Sequence, residues 1–184
     1  MPRLVRYAPL ALFAAALLAA PSARAQDSTV VVLVRHAEQT DHGNDPPLSA
    51  IGQARAAALA QAVAGMRFDA VITSERQRTQ LTAQPVMQAL GLAPEIVGLA
   101  GEHVDSVAAA VRRHAGGTVL VVGHSNTVPR IIHALGGPQM RDLCLAQYSN
   151  LYVMVLRDGA EPRVEQRTFG APAPAGADSC SPPI

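Results

Sequence analysis

The chain has 184 residues, a net charge of +1 and a hydrophobic fraction of 49%. One domain of this size can bury a substantial core. The low net charge argues against a nucleic-acid-binding protein, because such proteins usually present a strongly basic patch.

The first 25 residues have the pattern of a secretory signal peptide. Arg3 and Arg6 precede an apolar run over residues 8–20, and Ala-Arg-Ala at 23–25 fits a signal cleavage site. The run is short and rich in alanine for a membrane span. We therefore predict cleavage after residue 25, a periplasmic or secreted protein, and no stable membrane insertion after cleavage. An uncleaved anchor is the alternative. Cleavage would remove three arginines and lower the net charge to −2.

Short apolar runs then alternate with alanine-rich helical stretches, which predicts an α/β fold of three layers, α/β/α, around a mostly parallel central sheet. The predicted strands are Val30–Val34, Ala70–Thr73, Glu95–Val97, Thr118–Val122, Leu151–Leu156 and Arg163–Thr168. The predicted helices are Ala50–Gly65, Arg78–Leu90, Val104–Arg113 and Thr127–Leu135.

The first helix has an apolar face at helical spacing, and Ser49 is placed to cap its N-terminus. The predicted core face is Ile51, Ala54, Ala58, Leu59, Ala62, Val63 and Met66. From Gly170 onward the chain is rich in Pro and Ala, with little to bury. The predicted organisation is therefore a signal peptide (1–25), one domain (26–169) and a Pro/Ala-rich tail (170–184).

Two predicted strands each end in a histidine. The first delivers Arg35 and His36, and the fourth delivers Gly123 and His124. Because ligands bind outside the carboxyl ends of strands in open α/β sheets, both histidines should face one cleft. A cation beside an imidazole at this edge is suited to holding a phosphoryl group.

A third segment, Ser74–Ala83, begins where the second strand should end and leads into a helix. Arg76 and Arg78 both lie at this helix start, and one of them should point toward the same sheet edge. The spacing alone does not choose between them.

Four segments in order resemble the histidine phosphatase superfamily, which includes phosphoglycerate mutases and small phosphohistidine phosphatases. Arg35-His36-Ala37 resembles its Arg-His-Gly signature, Asp45–Ser49 its Leu-Ser/Thr segment, Ser74–Ala83 its Ser-x-x-x-Arg-x-x-x-Thr-Ala segment, and Gly123-His124-Ser125 its second-histidine motif. The resemblance implies a phosphoglycerate mutase-like fold and assigns the site arginine to Arg78. Alanine in place of the signature glycine requires an ordinary backbone conformation at Ala37.

These residues predict a metal-independent, cofactor-free phosphatase. Arg35, Arg78 and His124 would bind the phosphoryl oxygens of a small phosphorylated substrate, and neutral His36 would attack phosphorus to form a phosphohistidine that water hydrolyses. We interpret Glu102 as the proton donor, with Asp105 and Glu38 as rivals and a simple helix cap as the other role for Glu102. The remaining histidines, His42, His103, His114 and His133, are interpreted as ordinary surface residues.

Cys144 and Cys180 lie outside the motifs, and an oxidising compartment favours a disulfide between them over two separate thiols.

Three other functions share the site residues or the fold: a phosphoglycerate mutase-type phosphotransferase, a protein-phosphohistidine phosphatase, and a non-catalytic phosphate-ligand binding module. The export signal disfavours the mutase. The presence of Arg35, His36, Arg78 and His124 together disfavours the binding module.

Overall fold

The computed structural model describes residues 28–41 and 43–172. In these ranges the elements are β1 (Thr29–Arg35), α1 (Ala50–Ala62), β2 (Ala70–Ser74), α2 (Gln77–Leu90), β3 (Pro94–Val97), α3 (His103–Arg113), β4 (Thr118–Gly123), α4 (Thr127–Ala134), β5 (Asn150–Arg157) and β6 (Ala160–Thr168). The predicted signal peptide, His42 and residues 173–184 of the predicted tail lie outside the described residues. The predicted domain bounds therefore stay a prediction.

The sheet has the order β3-β2-β4-β1-β5-β6. The first four strands of that order are parallel, and β5 and β6 add an antiparallel pair. Side chains alternate across β1, so Val31 and Leu33 pack in the cluster that includes α3 and α4, whereas Val32 and Val34 pack in the cluster of α1 and α2. Burial on both faces explains the continuous apolar run of β1. The predicted three-layer α/β fold is confirmed.

Helix α1 is rotated relative to the predicted core face. Ser49 caps it as predicted, its Oγ accepting from the Gly52 amide nitrogen at 3.1 Å. Ile51, however, is 65% exposed, and the predicted Ala54 and Ala62 are exposed as well, while Gly52, Arg55, Ala56, Leu59 and Val63 are buried. The cause is contact with the loop after β1: a Cβ at Gly52 would lie 2.1 Å from the Glu38 carbonyl oxygen. Apolar spacing cannot reveal that a glycine and an arginine face inward.

The buried arginine of α1 joins the loop after β1 to the C-terminal end of the described chain. Arg55 Nη2 lies 2.7 Å from Glu38 Oε1, and its Nε lies 2.9 Å from each carboxylate oxygen. Its Nη1 donates to the carbonyls of Phe169 and Ala171 at 3.2 and 2.9 Å. Removing Glu38 would leave the buried charge of Arg55 without its partner, which is destabilising. This pair therefore holds the loop that follows His36.

At the other edge of the sheet, β6 begins at Ala160, three residues before the predicted start, and includes Pro162. An edge strand tolerates proline because one row of its N–H groups needs no partner.

Among the described residues, no helix combines the length and apolar character needed to cross a bilayer. Cys180 is outside the described residues, so its pairing with Cys144 stays a prediction.

Candidate active site

The parallel pairing of β1 with β4 brings the two strand-end histidines together. Arg35 pairs in register with Gly123, and the His36 amide donates to the Gly123 carbonyl at 2.8 Å. The imidazole centroids of His36 and His124 are 5.3 Å apart, with an interplanar angle of 62°. Both rings line a cavity of about 520 Å³ that Arg78 also lines. The two histidines thus share one cleft at the carboxyl edge of the sheet.

The His36 ring has a fixed orientation. Its Nδ1 lies 2.8 Å from the carbonyl oxygen of Ala37, which can only accept, so the hydrogen-bond pattern assigns the proton to Nδ1 and the lone pair to Nε2. Burial, followed by the charge of Arg35, lowers the pKa of His36 to about 3 against the opposing effect of the Ala37 hydrogen bond. His36 is therefore neutral at pH 7, with Nε2 available as a nucleophile.

Ala37 is held in place by the helix that carries Arg78. Its amide donates to Thr82 Oγ1 at 2.8 Å, and Thr82 Oγ1 donates to the Arg78 carbonyl at 2.7 Å. No described residue other than glycine has a positive φ, so Ala37 has the ordinary backbone conformation that was predicted. The link through Thr82 connects the loop of His36 to the helical turn of Arg78.

Arg35 is 4% exposed and contacts the segment between α4 and β5. Its Nη1 donates to the carbonyls of Cys144 and Leu145 at 2.9 and 3.0 Å, and its guanidinium carbon lies 3.9 Å from the ring centroid of Tyr148. Its Nε–H is buried without an acceptor. One nitrogen is thus used for structure and the Nε–H is an unused donor, but Arg35 is not among the residues that line the cavity of the histidine pair.

The structure separates the two arginines at the start of α2. Arg78 lines the cavity, its Nη2 lies 3.5 Å from His124 Nδ1, and its Nε–H is buried without an acceptor. Its Nη1 lies 3.8 Å from a carboxylate oxygen of Asp45. Arg76 does not line this cavity, and its Nη1 donates to the Asn44 carbonyl at 3.3 Å. Arg78 is therefore the arginine next to the histidine pair.

His124 lies between Arg78 and the buried end of β2. Its Nε2 is 3.0 Å from Ser74 Oγ, and Ser74 is 1% exposed. Burial, followed by the charges of Arg78 and His103, lowers the pKa of His124 to about 3. Within the described part of the chain, no three His, Cys, Asp or Glu side chains are grouped closely enough to hold a metal ion.

The three candidate proton donors occupy different surroundings. Glu102 is exposed, lines the cavity of the histidine pair, and occupies the N-cap position of α3 without a side-chain capping bond. Asp105 lines a neighbouring cavity of about 390 Å³ between α3 and α4. Glu38 is held by Arg55. Glu102 is thus the candidate acid that shares a cavity with His36.

Several residues around the site were not identified by the sequence analysis. His103, interpreted above as a surface residue, is 6% exposed, lines the cavity, and its Nδ1 lies 2.9 Å from the Gly98 carbonyl; that interpretation was wrong, because the start of α3 turns its side chain inward. Arg130 also lines the cavity. Tyr148 and Ser74 contact Arg35 and His124 from outside the cavity lining. His114 instead contacts Glu95, and His133 is exposed. Of these residues, Ser74 alone has a signal in the sequence, its place in a motif.

Residues 31–102 match the family model described as histidine phosphatase superfamily (branch 1). The matched segment is less than half of the 184-residue chain, and over that segment the chain is similar to this superfamily, as the sequence motifs predicted. The match includes His36, Arg78 and Glu102, and it ends before His124. The match supports the prediction of an enzyme of the histidine phosphatase class. A search of curated proteins returns no significant match.

Solved structures share the fold at low sequence identity. The protein histidine phosphatase SixA in complex with tungstate is 19% identical, with a TM-score of 0.57, and the alignment covers 76% of this chain and 96% of that one. A mycobacterial glucosyl-3-phosphoglycerate phosphatase is 15% identical, with a TM-score of 0.57 and coverage of 79% and 100%. YhfR from Bacillus stearothermophilus is 21% identical, with a TM-score of 0.55 and coverage of 74% and 95%. The chain therefore shares the fold of these proteins, two of which are phosphatases.

Proposed function

We propose that this protein is an exported, metal-independent histidine phosphatase that hydrolyses phosphomonoesters through a phosphohistidine on His36. The observation that carries the proposal is the combination of a neutral His36 with its Nε2 unprotonated and two buried Nε–H donors, of Arg35 and Arg78, that have no acceptor. Phosphoryl oxygens would supply these acceptors. Export is supported by the N-terminal sequence pattern.

The reaction proceeds in two displacements. Arg35 and Arg78 bind the phosphoryl oxygens, and His36 Nε2 attacks phosphorus while the bond to the ester oxygen breaks. Glu102 gives its proton to the leaving oxygen, which departs as an alcohol. Glu102, now a carboxylate, takes a proton from water, and the resulting hydroxide attacks phosphorus. The P–N bond then breaks, phosphate is released, and the lone pair returns to Nε2.

Metal independence is tested by chelation. The two guanidinium groups provide the positive charge that phosphoryl transfer needs, so the rate is expected to be unchanged in excess EDTA. Vanadate is expected to inhibit, because its five-coordinate form resembles the in-line transition state. Hydrolysis of p-nitrophenyl phosphate by protein purified without the signal segment measures both effects. Activity that is lost with EDTA and restored by Zn²⁺ or Mg²⁺ would contradict this mechanism.

The role of Glu102 is tested by the choice of leaving group. Glu102→Gln is expected to lower kcat/KM for an alkyl phosphate about 10²-fold or more, because the alkoxide needs a proton, and to change kcat/KM for p-nitrophenyl phosphate much less. Asp105→Asn is the matched control, since Asp105 lies in the first turn of the same helix and lines the other cavity. An unchanged ratio of the two kcat/KM values in Glu102→Gln would remove Glu102 from this role.

A protein-phosphohistidine phosphatase is the second candidate, and the shared fold with SixA, a protein histidine phosphatase, favours it. The same residues would transfer the phosphoryl group from a substrate histidine to His36. Comparing kcat/KM for a phosphohistidine peptide with the values for a panel of phosphomonoesters and phosphoanhydrides decides between the two substrate classes.

A further inference from the structure

A chain of buried hydroxyl groups behind His124 has a defined direction. Thr79 Oγ1 lies 2.8 Å from the Arg76 carbonyl oxygen and 3.1 Å from the Ser74 carbonyl oxygen. Carbonyl oxygens only accept, so the single hydroxyl proton of Thr79 is used there. Thr79 Oγ1 must then accept from Ser74 Oγ, which lies 3.0 Å away. The Ser74 hydroxyl proton is therefore committed to Thr79.

This direction sets the tautomer of His124. Because the Ser74 proton points to Thr79, Ser74 Oγ acts as an acceptor for His124 Nε2, 3.0 Å away, which must carry a proton. The other ring nitrogen, Nδ1, lies 3.5 Å from Arg78 Nη2, and a guanidinium nitrogen can only donate. Both sides of the ring thus require a proton on Nε2 and a lone pair on Nδ1.

The two histidines of the cavity consequently have opposite tautomers. His36 carries its proton on Nδ1 and its lone pair on Nε2, whereas His124 has the reverse arrangement. The lone pair of His36 is needed for attack on phosphorus. The lone pair of His124 Nδ1, beside Arg78, would repel a phosphoryl oxygen bound there. Binding of a dianion next to His124 therefore requires one more proton.

We propose that binding of a tetrahedral dianion in this cavity is coupled to uptake of one proton by His124 Nδ1, and that Ser74 is the positioning residue that imposes this coupling. An N–H bond forms at Nδ1, and the proton comes from solvent or, for a substrate that enters as the monoanion, from its own P–O–H group. The resulting imidazolium donates to the bound oxyanion. This inference deepens the proposed function, since it assigns a proton to its anion site.

The charges around His124 explain why the proton arrives only with the anion. Cationic or ionisable groups surround the ring: Arg76 and Arg78 at the start of α2, His103 from α3, Arg130 from α4, Arg35 at the end of β1 and His36 directly after it. Glu102 is the carboxylate that lines the same cavity. Burial and Arg78 lower the pKa of the unoccupied His124 to about 3, so the free ring is neutral at pH 7. A dianion reverses the sign of the local potential and raises this pKa.

The sign of the pH dependence follows. Between the low pKa of free His124 and the raised pKa of the complex, the complex holds one more proton than the free protein. Rising pH therefore weakens binding, by about tenfold in Kd per pH unit. Sulfate is the appropriate probe, because it neither binds nor releases a proton near neutral pH and is not turned over.

The experiment is calorimetric titration of the full chain with sulfate at about pH 7 in buffers of different ionisation enthalpy, together with Kd from about pH 6 to 8.5. We expect uptake of close to one proton per sulfate. His124→Asn should abolish both the uptake and the pH slope. His36→Ala and His103→Gln, which change the other histidines of the cavity, should retain the uptake. Ser74→Ala should reduce it, because only the longer 3.5 Å contact with Arg78 then disfavours a proton on Nδ1.

Three results would overturn the proposal: no uptake in the wild-type protein, full uptake in His124→Asn, or loss of uptake in His36→Ala, which would place the proton on His36. The ¹⁵N chemical shifts of the imidazoles in the sulfate-free wild-type protein give a readout that needs no variant. A protonated Nδ1 on His124 in that state would also overturn the proposal. Failure of the proposed function can be told apart from failure of this proposal. The former appears as the absence of a phosphohistidine and leaves the sulfate measurements unaffected.

Discussion

His36→Ala is expected to lower turnover of any phosphomonoester by roughly 10⁴-fold or more, because it removes the nucleophile rather than a binding contact. Arg78 and His124, which line the same cavity, remain to bind the anion. Rapid-quench labelling with a ³²P-labelled substrate should detect phosphoprotein in the wild-type enzyme and none in the variant. The quench must be alkaline, because the P–N bond of a phosphohistidine is labile in acid.

The matched control is His114→Ala, which changes an imidazole that contacts Glu95 away from the cavity. It should retain both turnover and label. Circular dichroism and sulfate binding verify that His36→Ala is folded. Substantial activity in folded His36→Ala, or label that survives acid and is lost in alkali, would contradict nucleophilic catalysis by this residue.

Arg78→Ala is expected to lower kcat/KM about 10²–10³-fold for all substrates alike, since its donors act on the phosphoryl group and not on the leaving group. Sulfate and vanadate should bind about 10- to 100-fold more weakly, because a hydrogen bond to a charged group is worth about 1.5–3 kcal/mol. Arg78→Lys should recover part of the loss, as it retains the charge without the forked geometry. Steady-state kinetics and calorimetry measure both effects.

Arg76→Ala is the control for that experiment. Arg76 lies two residues from Arg78, carries the same charge and does not line the cavity. It acts on His124 only through its charge, which lowers the pKa of that ring. Its kcat/KM should stay within a few-fold of the wild-type value. Equal losses in the two variants would mean that net positive charge near α2, and not a contact from Arg78, binds the anion.

The two arginines also illustrate where sequence reasoning reaches its limit. Spacing along α2 left Arg76 and Arg78 as equal candidates, and the motif resemblance favoured Arg78. The structure adds the physical reason. Asp45 Oδ1 accepts from the Gln77 amide at 3.0 Å in the first turn of α2, and Arg78 lies beside His124, whereas Arg76 reaches the Asn44 carbonyl. A contact between segments 32 residues apart in the chain decides which cation faces the cavity.

The proton donor is a similar case. Glu102, Asp105 and Glu38 are equivalent as carboxylates in a sequence. The contact of Glu38 with Arg55 argues against that role for Glu38, and the apolar pattern of α1 did not identify Arg55 as buried. The two remaining acids differ in position, because Glu102 lines the cavity of the histidine pair and Asp105 lines the neighbouring cavity. Burial of a charge depends on its partner, which local periodicity does not encode.

By itself, the sequence determined the alternation of strands and helices, the burial of β1, the capping of α1 by Ser49 and the strand-end positions of His36 and His124. These features depend on residues that are neighbours in the chain or one helical turn apart, so local pattern suffices. Only the tertiary structure decided the tautomer of each histidine, the inward rotation of Arg55 and His103, and the contact of Arg35 with Tyr148. Each of these results from a hydrogen bond, ion pair or ring contact that depends on the three-dimensional arrangement of the chain, and local periodicity carries no record of such contacts.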